Sequence, residues 1–184
     1  YYSLSVLFLA EIKEIAIITT REDKDKYFRL LGDGKRFGVS IEYFIQNQPR
    51  GIPEAFLICK NYIKGNKVML VLGDNIFYSH GLTPLILKSK KNKGATIFSY
   101  EVVNPKDFGV VEIDEKNKIQ SIQEKPIKPK SNLAITGLYI FDQNVSIMSE
   151  KLKISKRGEL EIVDLLKMYH QEKIINHQRL WRGF

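Results

Sequence analysis

Two short stretches carry side chains whose types and spacing could do chemistry. In "VMLVLGDNIFYSHG", residues 68–81, an apolar run leads directly into Gly73, Asp74 and Asn75. A carboxylate on a glycine hinge at the end of a buried strand is placed where open α/β sheets bind ligands, outside the carboxyl ends of the strands. One such carboxylate can hold Mg2+, which keeps several waters and takes one or two protein carboxylates together with substrate phosphates. The same residues also suit a plain turn in which Asp74 caps the next helix. In "QEKP", residues 123–126, Glu124 and Lys125 stand side by side before Pro126, which stops strand pairing. A carboxylate there could grip sugar hydroxyls while an ammonium grips a phosphate. Adjacent strand residues point to opposite faces, so the two work together only if the chain twists at the proline.

Other constellations carry less. "GDGKRFG", residues 32–38, fits neither G-x-x-x-x-G-K-[ST] nor G-x-G-x-x-G and precedes a strand, so it is expected to be a turn. His80, His170 and His177 lack metal-ligand spacing, which argues against zinc. No G-x-S-x-G marks an acyl-transfer nucleophile. Cys59 is the only cysteine, so no intrachain disulfide can form, and it is expected to pack as a small hydrophobe in a helix.

The elements that must position these residues alternate. Strands are expected at 14–20, 40–46, 67–73 and 94–103, with helices at 23–31, 53–63 and 82–92 between them. Beyond residue 104 the rhythm changes to short strands, with "EKNK" turning a hairpin between "GVVEID" and "IQSIQEKP". A strand at 134–142 and a helix at 158–172 follow, and "RLWRGF" reads as a strand still running. The fold class is α/β: one Rossmann-like domain over 1–184 with a three-layer, mixed, mostly parallel sheet covered on both faces, plus a small antiparallel layer.

Composition agrees with a globular domain: of 184 residues, 43% are hydrophobic and 27% charged. The formal net charge of +8 could suggest a polyanionic partner. The lysines are scattered beside turn residues, however, and no helix-turn-helix, zinc-finger or RNP-type pattern accompanies them, so no nucleic-acid partner is expected. "LSVLFLA" is too short for a bilayer span of about 20 residues, so no membrane association is expected, and the single cysteine suits a cytoplasmic protein. The chain opens on Tyr1, without methionine, inside what reads as an apolar helix, and a fragment cut at both ends is expected.

"QNQPRGIPEAF", "LGDNIFYSHG", "FGVVEID", "IQEKPIKPKSNLAITGLYIFD" and "RGELEIVD", in that order, resemble the bacterial glucose-1-phosphate thymidylyltransferases of the nucleotide-diphospho-sugar transferase superfamily. The resemblance spans essentially the whole chain. It implies Mg2+-dependent nucleotidyl transfer, in which a phosphate oxygen of glucose 1-phosphate attacks the α-phosphorus of dTTP, releasing pyrophosphate. It also implies a homo-oligomer, commonly a tetramer. Carried over by position, Gln46 and the backbone of Gly51 would contact the thymine, and Asp74 would be one of two carboxylates on Mg2+. Gly109, Glu124 and Ile135 would meet the sugar, Lys125 the sugar phosphate, and Tyr139 and Arg157 would lie near the phosphates.

Two positions depart from the pattern: Phe108 replaces a usual Tyr, and Ser79 a common Gly. The family's first strand, its G-x-G-T-R-L loop and the second metal-binding aspartate have no counterpart in the chain. The 184 residues alone are therefore expected to be inactive, with an unpaired sheet edge. Two other outcomes stay open: the same chemistry with UTP or another nucleotide, and a non-catalytic sugar-nucleotide binder.

Overall fold

The structure, a computed structural model, describes residues 1–181. Helix α1 (Tyr2–Leu9) leads into strand β1 (Glu14–Thr19), helix α2 (Arg21–Leu31) and strand β2 (Ser40–Ile45). Thr20 starts α2: its hydroxyl accepts the Asp23 N–H at 3.2 Å, and Glu22 and Asp23 place negative charge on the first turn. β1 and β2 pair in parallel from Glu14↔Ser40 to Thr19↔Ile45. The "GDGKRFG" stretch is the expected turn, a short 3-10 helix over Lys35–Phe37 between two left-handed glycines, Gly34 and Gly38.

The helix expected over 53–63 is two, α3 (Glu54–Ile58) and α4 (Lys60–Ile63). It breaks at Cys59, where ψ reaches 20° while the N–H still bonds the Ala55 carbonyl at 3.1 Å. Cys59 is buried, as expected, and burial pushes its thiol up to about 11, which leaves it a poor nucleophile.

Strand β3 (Val68–Val71), helix α5 (Leu82–Ser89), strand β4 (Ala95–Glu101) and the hairpin β5 (Gly109–Ile113) and β6 (Ile119–Glu124) follow. Strand β7 (Leu133–Phe141), helices α6 (Val145–Glu150) and α7 (Ile162–Gln171), and strand β8 (Ile175–Arg179) complete the described chain. β8 ends at Arg179, and of the strand expected through "RLWRGF", residues 182–184 lie outside the described residues.

The second sheet runs β6-β5-β7-β4-β8, with β3 sharing an edge of β7 with β5. The mixed α/β architecture is the expected one. β3, β4 and β8 run in one direction, but β7 enters antiparallel between β3 and β4, so fewer neighbours pair in parallel than the β-α rhythm suggests. β7 is buried on both faces, as a central strand should be. Ile135, Tyr139 and Phe141 face a cluster with Phe56, Leu165 and Tyr169. Leu138 and Ile140 face the other cluster, with Val6, Ile86 and Phe98. Helices therefore cover the sheet on both sides.

β1 pairs only with β2, and β3 only with β7, among the described residues. Their free edges line one cleft of about 500 Å3 through Ile15–Ile18 and Leu70–Leu72. The unpaired edge expected from the sequence is thus present, and it is shared between two sheets. No described helix is long and apolar enough to cross a membrane.

His177 is structural. Its Nδ1 lies 2.7 Å from Asn117 Oδ1, which can only accept, so the ring proton sits on Nδ1 and Nε2 accepts from Ser99 Oγ at 2.6 Å. The network ties the hairpin turn to β8, and burial, with Arg179 adding to it, lowers the imidazole to about 4.

Two outcomes follow for stability. Phe141 contacts Phe56, Tyr139 and Tyr169 at 5.2, 6.0 and 5.7 Å between ring centroids. Phe141→Ala should cost about 3–5 kcal/mol in urea denaturation, whereas exposed Phe28→Ala should stay within about 1 kcal/mol. For His177 the unfolded state binds the proton more readily, so its contribution is complete above about 6.5 and is lost as pH falls towards about 4. The loss amounts to about 3 kcal/mol, and His177→Gln should flatten the pH dependence of stability over that window.

Candidate functional site

The first corner of the site is the loop after β3. Leu72 N–H continues the ladder to Gly137 O at 2.9 Å, and the chain then turns, with Asn75 N–H reaching Leu72 O at 3.3 Å. Asn75 Oδ1 accepts the Gly137 N–H at 2.9 Å, while Asn75 Nδ2 donates to Asp74 Oδ1 at 2.8 Å. The exposed Asp74 carboxylate is therefore braced against β7 through Asn75. Gly137 must lack a side chain for this, since a Cβ there would lie 2.8 Å from Asn75 Oδ1 and from Leu72 Cβ. Asp74 caps no helix: α5 opens seven residues later on Gly81, with no side-chain cap.

This donor set fits a Mg2+ ion held chiefly by water and phosphate oxygens, with Asp74 as its protein carboxylate. No group of three or more His, Cys, Asp or Glu suited to a metal occurs among the described residues.

The second corner is built by β5, β6 and β7. Gly109 pairs with Glu124 across the hairpin, and a Cβ on Gly109 would lie 3.0 Å from Val163 Cγ2, 3.6 Å from Glu124 Oε2 and 3.7 Å from Ile135 Cδ1. Gly109, Glu124 and Ile135 thus meet at one point. Lys125 has φ +39°, and its N–H is held by Phe108 O at 3.0 Å. That left-handed residue is the twist expected before the proline, and the Lys125 charge acts on the neighbouring Glu124 carboxyl. Arg157 comes to the same corner, with Nη1 3.7 Å from Glu124 Oε1. Burial raises the Glu124 carboxyl above its usual range, Glu161 adds to the rise, and Lys125 and Arg157 offset part of it.

Tyr139 is placed differently from the others. Its ring is buried in β7, stacked on Phe141 at 6.0 Å, and burial raises its hydroxyl, with the Glu124 charge a lesser cause. It forms the floor beneath Glu124 and stands away from the open cleft. Phe108 is partly exposed at the hairpin mouth, and Ser79 Oγ donates to Trp181 O at 3.1 Å, fixing the loop after Asp74.

The third corner lies at the end of β2. Gln46 Nε2 donates to Glu54 Oε2 at 2.6 Å, which leaves Oε1 as the atom able to accept from a base N–H. Gly51 (φ +96°) packs against the loop before α7 so closely that a Cβ would lie 2.0 Å from Leu160 O, and Leu160 N–H bonds Arg50 O at 2.8 Å. Gln46, Gly51, Gly73 and Glu159 all line the cleft between β1 and β3. Of the nine expected residues, Gln46 and Gly51 line this cleft and Asp74 follows Gly73, which does; Glu124, Lys125 and Arg157 gather with Gly109 and Ile135 at the second corner, and Tyr139 lies in the core. The supporting residues Asn75, Glu54, Glu159 and Glu161 are found only in the fold. A hint lay in the acidic pair of "RGELE", whose carboxylates follow Arg157 at alternate positions.

Residues 1–182 match the nucleotidyl transferase family. Over its whole length the chain is 48% identical to a glucose-1-phosphate thymidylyltransferase of Neisseria meningitidis, and it covers 64% of that protein. The chain thus spans about 64% of the length of curated relatives that it matches. A Bacillus anthracis structure with bound sucrose, described as a glucose-1-phosphate thymidylyltransferase, superposes with a TM-score of 0.87 at 34% identity, covering 98% of this chain and 74% of that one. A UDP-glucose pyrophosphorylase with UDP-glucose shares the fold, with a TM-score of 0.83 at 21% identity, covering 97% of this chain and 77% of the other.

The tight approach at Gly51 is testable. Gly51→Ala should lower stability by about 1–3 kcal/mol through strain alone, with the clash adding to it. Gly73→Ala, where a Cβ meets nothing within 4 Å, should stay within about 0.5 kcal/mol in the same denaturation experiment.

Proposed function

The chain belongs to the nucleotidyl transferase family, and from that premise we propose that it serves transfer of a thymidylyl group from dTTP to glucose 1-phosphate. The observation that carries this reading is the convergence of Gly109, Glu124, Ile135 and Arg157 on one corner. Gly51 and Leu160 link that corner to Gln46 across the cleft.

In this reading the sugar hydroxyls donate to the Glu124 carboxylate and to backbone near Gly109 and Ile135. The Lys125 ammonium and the Arg157 guanidinium hold the phosphate of glucose 1-phosphate. Gln46 accepts from the thymine N–H at the far end of the cleft. A phosphate oxygen of the sugar phosphate then forms the new bond to the α-phosphorus, the bond from that phosphorus to the bridging oxygen breaks, and pyrophosphate leaves with the electron pair. Mg2+, when bound at Asp74, neutralises phosphate charge. Since no covalent enzyme intermediate is required, the protein's work is to align two polyanions and screen their repulsion. Assembly as a homo-oligomer belongs to the same proposal.

Calorimetric titration tests it. The chain should bind glucose 1-phosphate, and Lys125→Met should weaken that binding about 10- to 100-fold, the value of a lost charge-assisted contact. A panel of dTTP, UTP, CTP and ATP should rank dTTP first. Equal affinity for UTP would overturn the base assignment, and no effect of Lys125→Met would overturn the sugar-phosphate corner.

A further inference from the structure

Arg157 has an unusual setting. Its guanidinium has three carboxylates within 4 Å and none nearer than 3.7 Å: Glu124 and Glu161 at 3.7 Å from Nη1, and Glu159 at 3.9 Å from Nη2. It is committed to no single ion pair, and with a side chain 50% exposed it gains little stability from any of them. Glu161 differs from the other two. Its side chain is only 13% exposed, and it sits at the N-cap of α7, where a side chain normally satisfies the first amides of the helix. It does not do so. Its carboxylate turns back to accept the Ser155 hydroxyl at 2.9 Å, and Ser155 Oγ in turn accepts the Arg157 N–H at 3.2 Å. One carboxylate, anchored by a ten-residue helix, therefore touches both the backbone brace and the head group of Arg157.

We propose that Glu161 is a positioning residue for the sugar-phosphate corner, holding Arg157 over Glu124 with Ser155 as its brace, so that a sugar phosphate finds the guanidinium already in place. This rests on reading the Glu124–Lys125 corner as the sugar-phosphate site. Preorganisation is the physical gain: an arginine swinging free would lose rotamer freedom on meeting the ligand, whereas one drawn by a largely buried carboxylate has already lost part of it. Holding a cation through a shared contact at 3.7 Å also lets the incoming phosphate take the closer position.

Glu161 acts on Glu124 too. Glu161 at the N-cap of α7, Asp164 within α7, Arg157 from the loop, Lys125 just after β6 and Tyr139 from β7 all act on or lie by the Glu124 carboxyl. The Glu161 charge raises Glu124, so removing that charge lets Glu124 ionise at lower pH.

The test is a double-mutant cycle read by titration with glucose 1-phosphate. Glu161→Gln, which keeps an acceptor for Ser155, should weaken binding about tenfold in the unsubstituted background and have no further effect on Arg157→Ala. Ser155→Ala, which keeps the charge and frees the carboxylate, should give a smaller loss that also vanishes on Arg157→Ala. Glu161→Asp should recover part of the affinity. In the Arg157→Ala background, where no guanidinium can be displaced from Glu124, Glu161→Gln should move the acid limb of glucose 1-phosphate binding to lower pH, which a residue that merely stabilised the loop would not cause. Equal losses with and without Arg157, or an unmoved acid limb, would overturn the inference while leaving the site reading intact. Failure of the unsubstituted chain to bind glucose 1-phosphate would overturn both.

Discussion

The hydrogen-bond ladders along the two edges of β7 are the constraint on which the rest of the structure depends. β4 lies along one edge, while β5 and β3 share the other, the first at Ala134 and the second from Leu138 to Phe141. Between them is a short gap in that edge, and Gly137 sits in it. Its N–H has no strand partner there and is taken by Asn75. The gap in the ladder is therefore what fastens the Asp74 loop to the sheet, just as the β5 contact brings Gly109 and Glu124 beside Ile135. A single nine-residue strand with alternating faces thus sets two of the three corners of the site and both apolar clusters.

The electrostatics of the site follow from burial as much as from charge. Glu124 is raised because it is drawn into the hairpin near Glu161, yet Lys125 and Arg157 keep it within their fields. The cations themselves remain partly or fully exposed, and the contacts of Arg157 with its carboxylates are long, so its charge is not locked in a strong buried pair.

Much of this was legible in the chain. Asp74 at the end of an apolar run, the "EKNK" turn and the hairpin could be read because each depends on neighbours in sequence. The direction of β7 could not: Leu133–Phe141 is apolar at most positions and would suit a parallel or an antiparallel central strand equally. The helix expected from residue 158 begins at Ile162 because Ser155, Arg157 and Glu161 hold "SKRGELE" as a loop, a set of contacts with no periodic signature. Tyr139 matched a motif by position, but strand alternation turns its ring into the core beside Phe141. His177, without metal spacing, proves to be a buried spacer whose partners, Ser99 and Asn117, are 78 and 60 residues away.

The cleft between β1 and β3 has a mechanical meaning. Gln46 belongs to the two-stranded unit and Asp74 and Glu124 to the larger sheet, and no backbone ladder joins the two units among the described residues. What crosses between them is side-chain packing, such as Ala16, Ile18 and Phe44 against the main core, together with the contact of Gly51 on Leu160. A ligand that grips Gln46 at one end and Lys125 at the other is then a strut across a seam. Its binding free energy would add to the coupling across that seam and appear as greater cooperativity of unfolding.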